Sequence, residues 1–186
     1  PQNWNQTWEQ SIKPQTIGRF YVRPTWVAES DDQDHIELLI DPKMAFGTGY
    51  HATTRLLLEW IPEIISEGDV VLDAGTGTGI LGIAALKVGA SSAFGFDIDE
   101  WSKDNAEENM ELNGVSNFQV QLGSTEVIPA GSTYDVILAN INRNALIYLI
   151  PLLLSYLKKG GKLLLSGLLR EDEETILTLD SVKALN

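Results

Sequence analysis

The sequence predicts an α/β domain, a doubly wound, mostly parallel sheet in three α/β/α layers preceded by a short extended segment. Three observations carry that prediction. Strand-like apolar runs alternate with helix-like stretches between residues 53 and 167. A glycine cluster, "VLDAGTGTGILG" at 71–82, falls where a strand should pass into a helix, and Asp97 ends the next strand-like run. A second glycine-rich stretch, "MAFGTGYHATT" at 44–54, comes shortly before. Two such loops in tandem ask for a ligand that needs both.

In chain order, residues 17–22 ("IGRFYV") and 35–40 ("HIELLI") read as extended, separated by the acidic turn "ESDDQD". Thr53 or Thr54 is expected to N-cap a helix through "RLLLEWI". A strand at 69–74, a helix over "GILGIAALKVG" and a strand at 92–98 follow. The next helix runs from Asp99 as N-cap to Gly114, whose missing side chain suits a helix end. Then come strands over "FQVQLG" and 134–140, a helix through 158, a "KKGGK" turn and a strand at 162–167. Parallel sheets of this kind bind ligands outside the carboxyl ends of their strands, where the strand order reverses. The loops to watch are therefore 73–79, 97–99, 122–125 and 140–144.

Composition narrows the setting. A chain of 186 residues, 44% apolar and 21% charged, is enough for one domain with a substantial core. It contains no cysteine, which excludes disulfides and thiolate zinc sites and suits a reducing cytoplasm. The greasiest run, "ALIYLIPLLLSYL" at 145–157, is too short to span a bilayer and reads as a buried helix. A net charge of −13 and a pI near 4.4 repel phosphate backbones, so direct nucleic-acid binding is not expected, whereas a basic protein partner is compatible. The absence of a starting methionine and the stop soon after a helix-like stretch read as a fragment of something longer. Residues 1–40 are read as the end of a linker and an extended segment, and 41–186 as the domain, truncated at its C-terminus.

The spacing Gly77, Gly79, Gly82 fits the dinucleotide pattern G-x-G-x-x-G, with Asp97 twenty residues beyond Gly77. A nicotinamide or flavin dehydrogenase is allowed by that pattern. Asp73 argues against it, because a carboxylate two residues before Gly75 would repel a pyrophosphate and attract a cationic group. A nucleoside with a cationic tail fits, and S-adenosylmethionine is one. Glycines let the backbone pass close to such a tail. Asp97 can then accept both ribose hydroxyls in a charge-assisted pair. The plainer reading of Asp97 and Asp99 is helix capping. No Gly-Lys-Ser/Thr follows the glycines, which excludes a P-loop.

With "VLDAGTGTG" and "FDID" the chain resembles the class I S-adenosylmethionine-dependent methyltransferases, which have a Rossmann-like fold. "DPKMAFGTGYHATT" (41–54), "LDAGTGTGILGIAALKVGA" and "ANINRNALIYLIPLLLSYLKKGGKLLLSGLL" (139–169) together resemble, more specifically, the bacterial methyltransferases of large-subunit ribosomal protein eleven, over roughly residues 3 to 176. The resemblance implies that Phe46, Gly47 and Thr48 line the methionine and sulfonium region and that Thr54 contacts the cofactor. It also assigns Gly75 to the glycine loop beside Asp73 and Gly77, Asp97 to the ribose, and Asn140 to the cofactor at the fourth strand end. His51 either orients the loop or contacts substrate, or else makes a structural bond within its turn; His35 reads as solvated. Ser124 stands where related folds often put an aspartate on the adenine amino group.

"Asn140-Ile141-Asn142-Arg143" lacks the Asn-Pro-Pro-Tyr of enzymes that methylate planar amides and bases. The family's targets, lysine and amino-terminal amines, fit that difference, with Asn140 the candidate for aligning the amine. The alternatives are a methyltransferase for a small molecule or another protein, a nicotinamide-dependent oxidoreductase, and a cofactor-binding module without catalysis. The family also has an upstream substrate-recognition domain.

Overall fold

The computed structural model describes residues 12–31, 34–41 and 51–183. Five parallel strands make the main sheet: β4 (Val70–Ala74), β5 (Ser92–Asp97), β6 (Phe118–Leu122), β7 (Tyr134–Asn140) and β8 (Leu157–Ser166), in the order β6-β5-β4-β7-β8. The chain builds outward from β4 through β5 to β6, then returns to the other side of β4 with β7. The order therefore reverses between β4 and β7. The expected doubly wound sheet is what the chain forms.

A smaller sheet precedes it. β1 (Gln15–Ile17) pairs antiparallel with β2 (Phe20–Arg23), which pairs parallel with β3 (Ile36–Leu39). The expected extended segment 17–22 is thus split by a turn in which Gly18 takes φ +54°. Ile17, Phe20, Val22, Leu38 and Ile40 join the same buried cluster as Leu57, Leu58 and Ile61 of helix α1 (Ala52–Ile64).

Each sheet face carries its own core because neighbouring strand residues point to opposite faces. Val71, Val136 and Leu138 join the cluster under α1 and helix α2 (Ile80–Lys87), while Leu72, Ile137 and Ala139 join the one under helix α4 (Arg143–Ser155). Helix α2 is buried from Ile80 to Ala85, so its apolar character runs all round rather than along a stripe. Gly82 lets it lie against the sheet, since a Cβ there would come within 2.3 Å of the Phe118 ring. Helix α3 (Glu100–Leu112) covers the same side, and the short helices α5 (Asp172–Leu177) and α6 (Asp180–Lys183) close the described chain.

Asp99 caps α3 as expected, its Oδ1 accepting from Trp101 N at 3.3 Å, and Gly114 follows the helix end at φ +65°. Two boundaries differ. The N-cap of α1 is His51, not Thr53 or Thr54, and it makes no side-chain cap bond. Helix α4 stops at Ser155 rather than 158, because the Tyr156 carbonyl is taken by Tyr134 N at 2.9 Å and the chain joins β7 from Leu157. The expected "KKGGK" turn is instead a bulge within β8, where the register shifts between Tyr134 and Val136 and Gly160 takes φ +78°. Among the described residues no helix is long and apolar enough to cross a membrane.

Candidate cofactor-binding site

All five strands of the main sheet end at one cavity of about 650 Å³. Gly75 and Gly77 follow β4, Phe96, Asp97 and Ile98 close β5, Ser124 follows β6, Asn140 to Asn142 close β7, and Gly167 follows β8. His51 and Thr53 add the start of α1, and Ala145, Tyr148 and Leu149 one face of α4. The cavity lies where the strand order reverses, as parallel α/β sheets dictate.

The glycine loop is a tight left-handed passage, with Gly75, Gly77 and Gly79 at φ +78°, +54° and +82°. A Cβ on Gly75 would meet Ile141 Cγ2 at 2.1 Å, so only glycine lets the β4 loop touch the β7 end. Asp97 ties this loop to the next one. Its Oδ2 accepts from Gly77 N at 2.8 Å and its Oδ1 from Asp99 N at 3.0 Å. A carboxylate has about four acceptor positions, so these two bonds leave capacity for two hydroxyls on the cavity side.

Asp73 is elsewhere than its sequence position suggested. It is fully buried beneath the loop and off the cavity wall. Its Oδ2 accepts from Gly82 N at 3.1 Å, and its Oδ1 has no hydrogen-bond partner. Burial pushes this carboxyl up to about 8, against the Gly82 N–H that favours the charged form, with the nearby Asp97 charge adding to the rise. The repulsion expected from a charged Asp73 is therefore weakened by its burial.

Thr54, expected to contact a ligand, is also fully buried and off the wall. Its Oγ1 accepts from Asn140 Nδ2 at 3.0 Å, which fixes the amide plane of Asn140 at the cavity. Thr53 and His51 are the described wall residues of that stretch. Phe46, Gly47 and Thr48 lie outside the described residues. Ser124 lines the cavity, and its N–H donates to Glu126 Oε1 at 2.8 Å. Asn142 has a double position: it lines the cavity and caps α4, its Oδ1 accepting from Ala145 N at 3.0 Å.

Sequence reading missed the apolar walls. Ile98 is 81% exposed and Tyr148 74% exposed, and both line the cavity. A large apolar residue directly after the strand-end acid was the available signal for Ile98; Tyr148 looked like one more residue of a greasy helix. No lysine or arginine lines the cavity among the described residues. A ligand with an aromatic base and vicinal hydroxyls fits the apolar walls and Asp97.

The family model described as Ribosomal protein L11 methyltransferase (PrmA) matches residues 1–183. The chain belongs to the ribosomal protein L11 methyltransferase family. Among curated members, the ribosomal protein L11 methyltransferase of Dechloromonas aromatica is 42% identical over 179 residues, covering 96% of this chain and 59% of that protein. That of Caldanaerobacter subterraneus subsp. tengcongensis is 40% identical over 176 residues, covering 94% and 57%. The chain thus spans about three fifths of the length of these relatives. The crystal structure of ribosomal protein L11 methylase from Lactobacillus delbrueckii subsp. bulgaricus superposes with a TM-score of 0.81 at 33% identity, over 89% of this chain and 87% of that one. SMU.776, a methyltransferase solved complexed with SAH, shares the fold at a TM-score of 0.57 and 17% identity, over 72% of this chain and 40% of that one.

Proposed function

We propose that this chain is the cofactor-binding and catalytic part of an S-adenosylmethionine-dependent protein N-methyltransferase, acting in the cytoplasm on lysine and N-terminal amines of ribosomal protein L11. The observation that carries the reading is the cavity itself: glycine loop, strand-end Asp97 and, among the described residues, a lining without lysine or arginine, in a chain of this family. S-adenosylmethionine would supply an electrophilic methyl on a sulfonium. Asp97 would hold the ribose hydroxyls, Ile98 would cover the base, and Gly75 and Gly77 would leave room for the amino-acid tail. Asp73, beneath the loop, would regain its charge beside a cationic tail. Phe46, Gly47 and Thr48 remain part of the proposal as the residues over the methionine.

An amine attacks only when neutral, and a free lysine with a pKa of ~10.4 rarely is at pH 7. A largely apolar cavity that already holds a cation disfavours the ammonium. Asn140 then has a defined task. With Nδ2 committed to Thr54, its Oδ1 remains as the acceptor for an amine N–H, which aims the lone pair. Acceleration would come from proximity and alignment.

Calorimetry against S-adenosylhomocysteine and reduced nicotinamide dinucleotide tests the cofactor, and transfer of labelled methyl to L11 tests the substrate. Tighter binding of the dinucleotide would overturn the methyltransferase reading. Asn140→Ala should lower turnover by about 2 kcal/mol or more while changing cofactor affinity far less, since the lost contact is made in the transition state. Equal losses in both would remove Asn140 from the alignment role.

A further inference from the structure

Helix α3 carries asparagines at 105, 109 and 113, one turn apart and so on one helix face. That face meets the edge of β3 that β2 does not use. Asn113 donates from Nδ2 to Leu39 O at 2.7 Å and accepts at Oδ1 from Leu39 N at 3.0 Å. Asn109 accepts at Oδ1 from Asp41 N at 2.9 Å, and Asn105 donates from Nδ2 to Asp41 O at 2.9 Å. Ile40 between them turns the other way, its N–H donating to Arg23 O of β2 at 2.9 Å. Side-chain amides therefore take the place of a neighbouring strand along Leu39 and Asp41.

Strand pairing alone does not account for Asn109. Its Nδ2 donates to Thr78 O at 2.9 Å, in the middle of the glycine loop between Gly77 and Gly79. Asn109 and Thr78 are both fully buried. One amide thus spans three elements, with the glycine loop on its donor side and the β3 edge on its acceptor side. A buried amide with both ends satisfied has one geometry, and losing either bond strands a polar group away from water. The β3 edge is itself anchored at this point, because Asp41 accepts from Thr25 N and Thr25 Oγ1, both at 2.7 Å.

We propose that Asn109 is a positioning residue of the cofactor site, holding the glycine loop at Thr78 against the small N-terminal sheet at Asp41. Asn113 bonds the sheet edge at Leu39 and, within α3, donates to the Asn109 carbonyl at 2.8 Å, without a bond to the glycine loop among the described residues, and so provides the internal comparison. The proposal rests on the cofactor reading for its ligand and on the ligand-free loop for its independent check.

The experiment compares Asn109→Ala, Asn109→Asp and Asn113→Ala with the unchanged protein. Asn109→Asp is nearly isosteric, keeps the acceptor for Asp41 N and loses the donor to Thr78 O, so it serves if the alanine variant fails to fold. Two quantities are read: hydrogen exchange over residues 75–82 without ligand, and S-adenosylhomocysteine affinity by calorimetry. Both alanine variants should lose thermal stability. Only the Asn109 variants should speed exchange in 75–82 and weaken binding, by about tenfold, the effect of losing one hydrogen bond. Exchange in 75–82 that is no faster in the Asn109 variants than in Asn113→Ala overturns the proposal, as does unchanged affinity in them. If the unchanged protein binds no S-adenosylhomocysteine, the cofactor reading falls, and loop exchange alone decides for or against Asn109.

Discussion

The ends of β4 and β5 lie side by side in one parallel ladder, and each carries an aspartate. Asp73 pairs with Gly95, so Asp97 stands two residues farther along the same direction, about 6.6 Å beyond it at the usual strand rise. That offset separates their chemistry. Asp73 is inside the sheet, where its carboxyl accepts one N–H at Oδ2 and has no partner at Oδ1. Asp97 is past the last β4–β5 ladder pair, where two loop N–H groups and an open cavity surround it. One acid is buried beneath the loop with its pKa pushed up, and the other is an acceptor on the wall. Similar positions in a motif therefore do not imply similar roles; register decides.

The largest effect expected from this contrast is in the pH dependence of stability. The folded pKa of Asp73, about 8, lies above its unfolded value of 3.8, so the native state holds an extra proton between the two. Stability from this group is therefore fully present below about pH 4 and is lost as pH rises through about 8. Asp73→Asn keeps an acceptor for Gly82 N and removes the titration. Its stability advantage over the unchanged protein in urea unfolding should grow by several kcal/mol from pH 4 to pH 9. Parallel curves for the two proteins would mean that folding leaves the Asp73 pKa unshifted.

A smaller effect separates the acids as ligand groups. Asp97→Ala should weaken S-adenosylhomocysteine binding by about 2–3 kcal/mol, the scale of charge-assisted bonds to two hydroxyls. Measured at pH 7, that loss should exceed the one from Asp73→Asn. The reverse order would reverse the roles assigned to the two strand ends.

The smallest effect tests the acid two residues farther on. Asp99 accepts from Trp101 N and from Ser102 Oγ at 3.1 Å, which is the work of a helix cap. Asp99→Ala should cost about 1 kcal/mol of stability. Cofactor affinity in the same variant should hardly move, and a loss matching that of Asp97→Ala would show that the cap is also a ligand.

Helices and strands were largely legible because their signals are local. The apolar runs of β4 and β7, the Asp99 cap and the Gly114 stop each sit within a few residues of what they control. The failures came where a distant group competes. Thr54 was a good cap by local chemistry, but its hydroxyl is engaged by Asn140, 86 residues away. The helix ending at Ser155 was expected to run on through Lys158, and pairing with Tyr134 cut it short. The bonds that tie the α3 asparagines to the loop and the sheet edge carried no local signal, since those partners are 31 to 74 residues distant, from Thr78 to Leu39.

From the sequence by itself came the parallel α/β class, the loops at the strand ends, the acid at the end of β5 and the family resemblance. All of these depend on spacing along one stretch of chain, which sequence records directly. Only the tertiary structure decided that Asp73 is buried, that Thr54 holds Asn140, that Ile98 and Tyr148 wall the cavity and that Asn109 bridges loop and sheet. Burial and hydrogen-bond partnership depend on what packs from elsewhere in the chain, and in a sheet a two-residue difference in register is enough to carry a carboxylate from the core to the cavity wall.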